Sequence, residues 1–122
     1  MKLMAVALLL AINGPALAAE SSTGAGAEIG KLLSALGASK CEFYRNGSWY
    51  GAADAQAHLT KKYEYLRDKG EITTTERFIA DAGSKSSTSG EAYQVRCPSR
   101  SAVPSATWLS DELARLRQES KP

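Results

Sequence analysis

The stretch CEFYRNGSWY, residues 41–50, decides the fold of this chain because it combines a cysteine, two pairs of aromatic residues and a turn signal. Asn46-Gly47 tolerates the positive φ angles of a tight hairpin turn, so it predicts a short strand on each side. Aromatic side chains suit the pleated surface of a sheet. The stretch therefore predicts a β-hairpin that anchors the fold.

One later stretch, residues 93–97, has the pattern of a strand and ends on the second of the two cysteines, Cys97. Both cysteines lie in the part of the chain that we expect to be exported, and an oxidising compartment favours joining them. A disulfide between Cys41 and Cys97 would pin the late strand to the hairpin. On the chain-entropy model it would stabilise the fold by about 4 kcal/mol. A thiol nucleophile or a metal ligand is the alternative interpretation of the two cysteines.

Residues 1–18 have the pattern of a secretory signal peptide. Lys2 precedes an apolar run from Leu3 to Ile12, and Ala16-Leu17-Ala18 places small residues three and one before a cleavage site. We expect cleavage near Ala18 and a periplasmic location. The apolar run is shorter than the roughly 20 residues that cross a bilayer, so no membrane span is expected.

The charge of the exported chain argues against nucleic acid as a partner. The full chain has 15 basic and 13 acidic residues, and cleavage removes Lys2 but no acidic residue. The remainder is nearly neutral and lacks the basic excess that binds a phosphate backbone. Its length suffices for one domain with a modest core. We expect a flexible leader at 19–26, a single domain at 27–118 and a frayed tail at 119–122.

Apolar residues at helical spacing predict three helices around the sheet. Their apolar faces are Ile29, Leu32, Leu33 and Leu36 in the first, Ala55, Leu59, Tyr63 and Leu66 in the long second, and Leu109, Leu113 and Leu116 in the last. Gly37 and Gly70 are placed to end the first two helices. Thr73 and Glu76 have the spacing of a capping box that opens a further, short helix, and Ser105 is placed to cap the last one.

These elements predict an α+β fold in the order helix, β-hairpin, long helix, short helix, strand, helix. The helices are expected to pack on one face of a small antiparallel sheet of two or three strands. Trp49 and Trp108 are expected in the core, because the chain has few large residues to fill its interior.

His58 is the only histidine, and it lies on the long helix with Asp54 one turn before it and Lys62 one turn after it. Residues four apart share a helix face, so this stripe has the form of a general base oriented by a carboxylate. A structural histidine that packs or hydrogen-bonds is the interpretation that the sequence favours. Without a second histidine or a cluster of acids, no metal site and no cofactor are predicted.

The stretch Gly83 to Gly90, GSKSSTSG, is a hydroxyl-rich loop by composition. It lacks the Gly-x-Ser-x-Gly and Ser-x-x-Lys patterns of serine nucleophiles, and it lacks the glycine and the preceding strand of a phosphate loop. Such a stretch is typical of a flexible connector whose hydroxyls make turns. The sequence therefore predicts no catalytic residue.

These segments resemble DUF5329, a family of small exported bacterial proteins of unknown function. The resemblance covers residues 43–95, and Ala92 departs from it because a proline is expected before the tyrosine. The matching positions are Phe43, Arg45, Asn46, Gly47, Ala55, His58, Leu59, Lys62, Ile72, Thr74, Glu76, Phe78, Ile79, Ser86, Ser87, Gly90 and Tyr93. The resemblance implies a periplasmic address and supplies no activity.

Polar residues at these positions form a candidate binding site, in which Arg45 is suited to hold a carboxylate. The site residues are Arg45, Asn46, His58, Lys62, Ser86, Ser87 and Tyr93. The long helix must run back over the hairpin, and the disulfide brings the loop and Tyr93 to the same sheet. We therefore expect one contiguous patch, partly open to water, that binds a partner. The alternative is a buried hydrogen-bonded network that ties the loop to the hairpin and the helix.

The predicted function is that of a non-catalytic periplasmic binding or inhibitor-type protein whose partner is a periplasmic protein or an envelope component. One alternative is a small cell-envelope hydrolase that uses His58 and a loop serine, and another is a structural accessory of an envelope complex. Residues 89–93, SGEAY, are similar to the Ser-Gly-x-x-Tyr loop of periplasmic lysozyme inhibitors. Those inhibitors are all-β and insert the loop into the cleft of the enzyme, so the similarity concerns the loop alone.

Overall fold

A computed structural model describes the backbone of residues 14–121 and the side chains of residues 24–121. Within that range the chain forms four α-helices, a π-helical segment and four strands. In chain order these are α1 (Gly14–Ala38), β1 (Glu42–Arg45), β2 (Ser48–Tyr50), α2 (Ala52–Asp68), α3 (Thr75–Phe78), the π-helical segment Ile79–Gly83, β3 (Gln94–Arg96), β4 (Val103–Pro104) and α4 (Ser105–Glu119). The predicted α+β class and the predicted order of elements are confirmed.

The hairpin forms where the sequence places it. Asn46 and Gly47 have φ angles of 49° and 90°, as a two-residue turn with two left-handed positions requires. The antiparallel register pairs Phe43 with Tyr50 and Tyr44 with Trp49. Because successive residues of a strand point to opposite faces and paired residues share a face, Phe43 and Tyr50 face the helices, whereas Tyr44 and Trp49 face outward.

The late strand lies beside the hairpin. The sheet order is β2-β1-β3-β4 with antiparallel neighbours, and Phe43 pairs with Val95 across β1 and β3. A disulfide joins Cys41 to Cys97 at the end of this strand pair. The sheet has four strands instead of two or three, because Val103–Pro104 adds an edge strand. Proline has no N–H to donate, so within a sheet it is confined to edge positions. For the same reason the sequence pattern does not indicate a strand here.

The helices cover one face of the sheet and enclose the core. Phe43, Phe78, Tyr93 and Val95 are almost fully buried together with the predicted face of α1 and most of that of α4, of which Leu116 is only partly buried. In α2, Ala55 and Leu59 are buried, whereas Tyr63 and Leu66 are partly buried against the core.

Gly37 lies within α1 and does not end it. A Cβ atom at this position would collide with the side chain of Gln56 in α2, so the glycine permits a close approach of the two helices.

The start of α1 differs from the sequence pattern. The helix begins at Gly14 and includes residues 19–26, where the sequence predicts a flexible leader and a helix start at Ala27. Residues 1–13, which hold most of the predicted signal peptide, lie outside the described residues, so export and cleavage stay predictions. Among the described residues, no helix is both long and apolar enough to cross a membrane.

Two helix caps also differ from the prediction. The side chain of Thr74, not Thr73, caps α3 by accepting a hydrogen bond from the backbone N–H of Arg77 at 3.0 Å. Ser105 is the first residue of α4 and not its cap, because Pro104 occupies that position. Ser105 is fully buried, and its Oγ has no hydrogen-bond partner among the described side chains.

The tryptophans lie at the margin of the core and not inside it. Trp49 pairs with Tyr44 on the outward face of the sheet, and the guanidinium of Arg96 lies 3.9 Å from the centre of its ring. Trp108 is partly buried against the core. The expectation that both tryptophans fill the interior is therefore wrong.

Candidate functional site

Three parts of the fold meet at one small depression: the β1–β2 turn, the face of α2 that lies over it, and the loop that leads to β3. The depression has a volume of about 170 Å³. We call it the Tyr93 depression and define it by the residues that line it, which are Arg45, Asn46, His58, Lys62, Ser86, Ser87, Thr88 and Tyr93. All seven residues that the sequence selects are among them. Thr88 is the one lining residue that the sequence analysis missed, although its position in the hydroxyl run could have indicated it.

Tyr93 forms the floor of the depression. Its side chain is only 2% exposed, and its ring packs at 4.9 Å against Phe43 in the core. Its hydroxyl lies 3.1 Å from Nε2 of His58 and 3.2 Å from Nζ of Lys62. The ring therefore belongs to the core, while the hydroxyl organises the polar side chains above it.

Lys62 is held by the floor and by the loop. Its ammonium donates hydrogen bonds to the carbonyl oxygen of Lys85 at 2.6 Å and to the Tyr93 hydroxyl. Nζ also lies 4.9 Å from the centre of the Tyr93 ring, within the range of a cation–π contact. Burial lowers the pKa of Lys62, because a partly desolvated ammonium is less stable than one in water.

His58 is kept neutral by its surroundings. Burial lowers the pKa of His58 most, and the positive charges of Arg45, Lys62 and Lys61 lower it further. A lysine ammonium can only donate, so the Tyr93 oxygen accepts from Lys62 and keeps its own proton available. With the proton of a neutral His58 on Nδ1, the Tyr93 hydroxyl donates to Nε2, and the three side chains form one directional chain.

Tyr93 is not activated as a base. Burial raises its pKa, and the positive charge of Arg45 offsets only part of that effect. Asp54, which the sequence places one turn before His58, does not line the depression. Among the described side chains, no hydrogen bond joins Asp54 to His58, so the carboxylate that would orient a general base is missing.

The hydroxyl-rich loop is ordered around Ser86, which is buried. The Ser86 oxygen accepts hydrogen bonds from the backbone N–H of Thr88 at 3.3 Å and of Ser89 at 3.2 Å, as in a serine-capped turn. The backbone of Ser86 closes the loop through bonds to Glu91 and Gly90, each at 2.9 Å. The composition of the loop predicts a flexible connector, but its own hydroxyls give it a defined conformation.

Asn46 ties the loop to the hairpin. Its amide nitrogen donates to the Ser86 oxygen at 3.3 Å, and its amide oxygen accepts from the Ser89 hydroxyl at 2.7 Å. Asn46 therefore has a role beyond the turn, because it fixes the distance between the β1–β2 turn and the loop.

The rim of the depression is open, although its floor is closed. Tyr93 and Ser86 are buried, Arg45, His58 and Lys62 are half-buried, and the remaining lining residues are exposed. The guanidinium of Arg45 lies 4.8 Å from the centre of the Tyr50 ring, which holds it at the edge of the hairpin. The site is thus a contiguous patch with an internally hydrogen-bonded base and an accessible rim.

Two larger depressions flank the disulfide, with volumes of about 520 and 340 Å³. Arg96 and Glu42 line the first of them and form an ion pair with each other at 2.7 Å. The charges of these two residues therefore balance each other, and Lys40 and Arg100 also line this depression. The Tyr93 depression is smaller, yet it joins side chains of three elements and contains no acidic lining residue, so we regard it as the better candidate.

The described part of the chain offers no arrangement for metal binding, since no group of three or more His, Cys, Asp or Glu residues is clustered there.

Comparison with known proteins identifies the family of the chain. The family model DUF5329, a family of unknown function, matches residues 23–117. The chain belongs to the DUF5329 family. The resemblance seen in the sequence is confirmed, and it extends well beyond residues 43–95.

The DUF5329 match includes the disulfide and every residue of the Tyr93 depression. No curated protein and no solved structure matched the chain. Membership of DUF5329 therefore supplies no activity, and functional inference has to start from the geometry of the site.

Proposed function

We propose that the chain is an exported, non-catalytic binding protein of the inhibitor type, which recognises a periplasmic protein or an envelope component through the Tyr93 depression. One observation carries the proposal: three separate elements direct polar side chains to one depression whose floor is rigid and whose rim is open. A surface built this way keeps its shape without the ligand, which lowers the entropic cost of binding.

The hydrogen bonds favour binding over hydrolysis. A serine hydrolase needs a base within reach of a serine hydroxyl. The Nε2 atom of His58 is engaged by Tyr93, and the buried Ser86 oxygen accepts from two backbone N–H groups. A serine in that position stabilises the loop and is not poised to attack a substrate.

The surface also argues against a purely structural accessory. A protein that assembles permanently with a complex usually presents a sizeable exposed apolar patch. Among the described side chains, Tyr65 is the only large hydrophobic one that is exposed. A single exposed tyrosine is ordinary for a monomeric protein surface.

Export is proposed from the signal-peptide pattern of residues 1–18 and from the disulfide. Disulfides persist in oxidising compartments and are rare in the cytosol.

The loop at residues 89–93 differs in one respect from the Ser-Gly-x-x-Tyr loop of lysozyme inhibitors. Tyr93 is buried under His58 and Lys62, so it cannot be the residue that inserts into a partner. Ser87 and Thr88, at the exposed rim, are the loop residues placed to touch one.

A bulky residue at the rim should abolish partner capture. We expect that full-length protein with a C-terminal tag, immobilised and exposed to periplasmic extract, retains a partner that Ser87→Trp does not retain. Ser87 is exposed, so the indole would obstruct the depression while the core stays intact. The matched control is Ser110→Trp, which places the same side chain on an exposed position of α4 outside the depression. Equal capture by both variants would show that the depression is not the binding surface.

A further inference from the structure

The charges of the Tyr93 depression are unbalanced. Among residues 24–121, no ion pair joins Arg45 or Lys62 to a carboxylate. Of the other arginines in this range, all but Arg100 do have acidic partners: Arg67, Arg77, Arg96, Arg115 and Arg117. Two half-buried cations in one small depression without an acid generate a positive potential that favours the binding of an anion.

Hydrogen-bond donors remain available at the same place. An ammonium has three donors, and Lys62 uses two of them on the Lys85 carbonyl and the Tyr93 hydroxyl. A guanidinium has five donors in a planar fork that matches carboxylate and phosphate groups. No hydrogen bond from Arg45 to a described side chain occupies that fork, and the exposed hydroxyl of Ser87 lies on the same rim.

The volume limits the size of the group that enters. Pockets for whole metabolites or drug-sized molecules measure about 300–1,000 Å³. At about 170 Å³ the depression is smaller than that range. It accommodates a charged group of a few heavy atoms, either as a small ion or as the end of a larger partner that stays outside the rim.

We infer that the Tyr93 depression binds an oxyanion, a carboxylate or phosphate group, between Lys62, Arg45 and the hydroxyl loop. This inference rests on the proposed function and names the chemistry that the site recognises. Lys62 contributes charge and one donor, and Arg45 contributes a planar pair of donors. The Tyr93 hydroxyl, which also contacts His58, holds Lys62 in place from below.

The single histidine makes the inference measurable. The charged groups that act on His58 are Arg45 from β1 and Lys61 and Lys62 from α2, and Tyr93 contacts it from the segment before β3. An opposite charge within a few ångströms favours the protonated form of an imidazole and raises its pKa. A bound oxyanion should therefore raise the pKa of His58, which proton NMR follows through one isolated ring resonance.

The experiment compares sodium sulfate, sodium acetate and sodium chloride at equal ionic strength on the full-length protein. We expect sulfate or acetate to raise the pKa of His58 by about one unit relative to chloride. A response to sulfate alone identifies a phosphate-like ligand, and a response to acetate alone identifies a carboxylate. The same pKa in all three salts would overturn the inference.

Variants separate a site from a general salt effect. Lys62→Met should lose the response, Lys62→Arg should retain it, and Lys69→Met should leave it unchanged, because Lys69 lies outside the depression. A response that survives Lys62→Met contradicts the inference. If no salt acts on His58 while Ser87→Trp still abolishes partner capture, the oxyanion inference fails and the proposed function stands. If an oxyanion raises the pKa of His58 but capture does not depend on Ser87, the depression binds an oxyanion and the proposed function fails.

Discussion

Loss of the Cys41–Cys97 bond is expected to lower the free energy of unfolding by about 4 kcal/mol. The bond links positions 56 residues apart, so its removal frees a long loop in the unfolded chain. Small domains have a total stability of about 5–15 kcal/mol, so the change removes a large share of it. We expect the Cys41→Ser, Cys97→Ser double variant to unfold at a much lower urea concentration than the oxidised protein.

Reduction of the natural protein serves as the matched control for this prediction. Urea unfolding of the reduced protein should agree with that of the double variant, and a reducing agent should not affect the variant. A loss below about 1 kcal/mol in both would mean that the sheet pairing of β1 and β3 holds without the bond. Peptide mapping that found both cysteines free in protein recovered from the periplasm would remove the premise altogether.

The second large effect is expected at Tyr93, whose ring and hydroxyl have separate roles. Tyr93→Ala should lower the free energy of unfolding by about 3–5 kcal/mol, because it leaves a cavity next to Phe43 in the core. Tyr93→Phe keeps the ring and removes only the hydroxyl that contacts His58 and Lys62. Those two side chains are half-buried and can turn to water, so we expect a loss of about 1 kcal/mol.

Chemical denaturation of the two variants measures the two roles directly. A large difference between Ala and Phe confirms that the ring supports the core and that the hydroxyl serves the depression. An equal loss in both variants contradicts this division, because it would make the hydroxyl network a principal source of stability.

The hairpin and the late strand were predictable because each carries a local chemical signal. Asn46-Gly47 supplies the two left-handed positions of the turn. Cys97 indicates which later strand the disulfide links to Cys41. The gathering of the site residues was predictable because it follows from the placement of these elements. Once α2 crosses the hairpin and the disulfide fixes β3, the space left for Lys62 and Tyr93 is small.

The missed features depend on contacts that the sequence does not display. Phe43-Tyr44 and Trp49-Tyr50 put an aromatic residue on each face of the hairpin, so the pattern does not reveal that Trp49 faces outward. The two-residue strand β4 contains Pro104, a residue that argues against a strand unless it lies at an edge. The sequence indicated that the loop belongs to the depression, but not that the loop is ordered, because its order depends on bonds of Ser86 within the loop and on bonds from Asn46, which is distant in sequence.

The central claim is that the polar cluster above Tyr93 is a binding surface and not chiefly a stabilising network. His58 makes one hydrogen bond to the Tyr93 hydroxyl and is half-buried, so water can replace it when the side chain is removed. The cost in stability should therefore be small, whereas the Tyr93 hydroxyl should lose the partner that fixes it and should then position Lys62 less well.

The most direct test is to measure the melting temperature and the partner capture of His58→Ala together. The account predicts that the melting temperature falls by no more than about 4 °C, which for a domain of this size corresponds to about 1 kcal/mol or less, while capture is lost. A fall of more than about 10 °C with capture unchanged would contradict the account, because it would show that the cluster exists to hold the loop, the hairpin and α2 together.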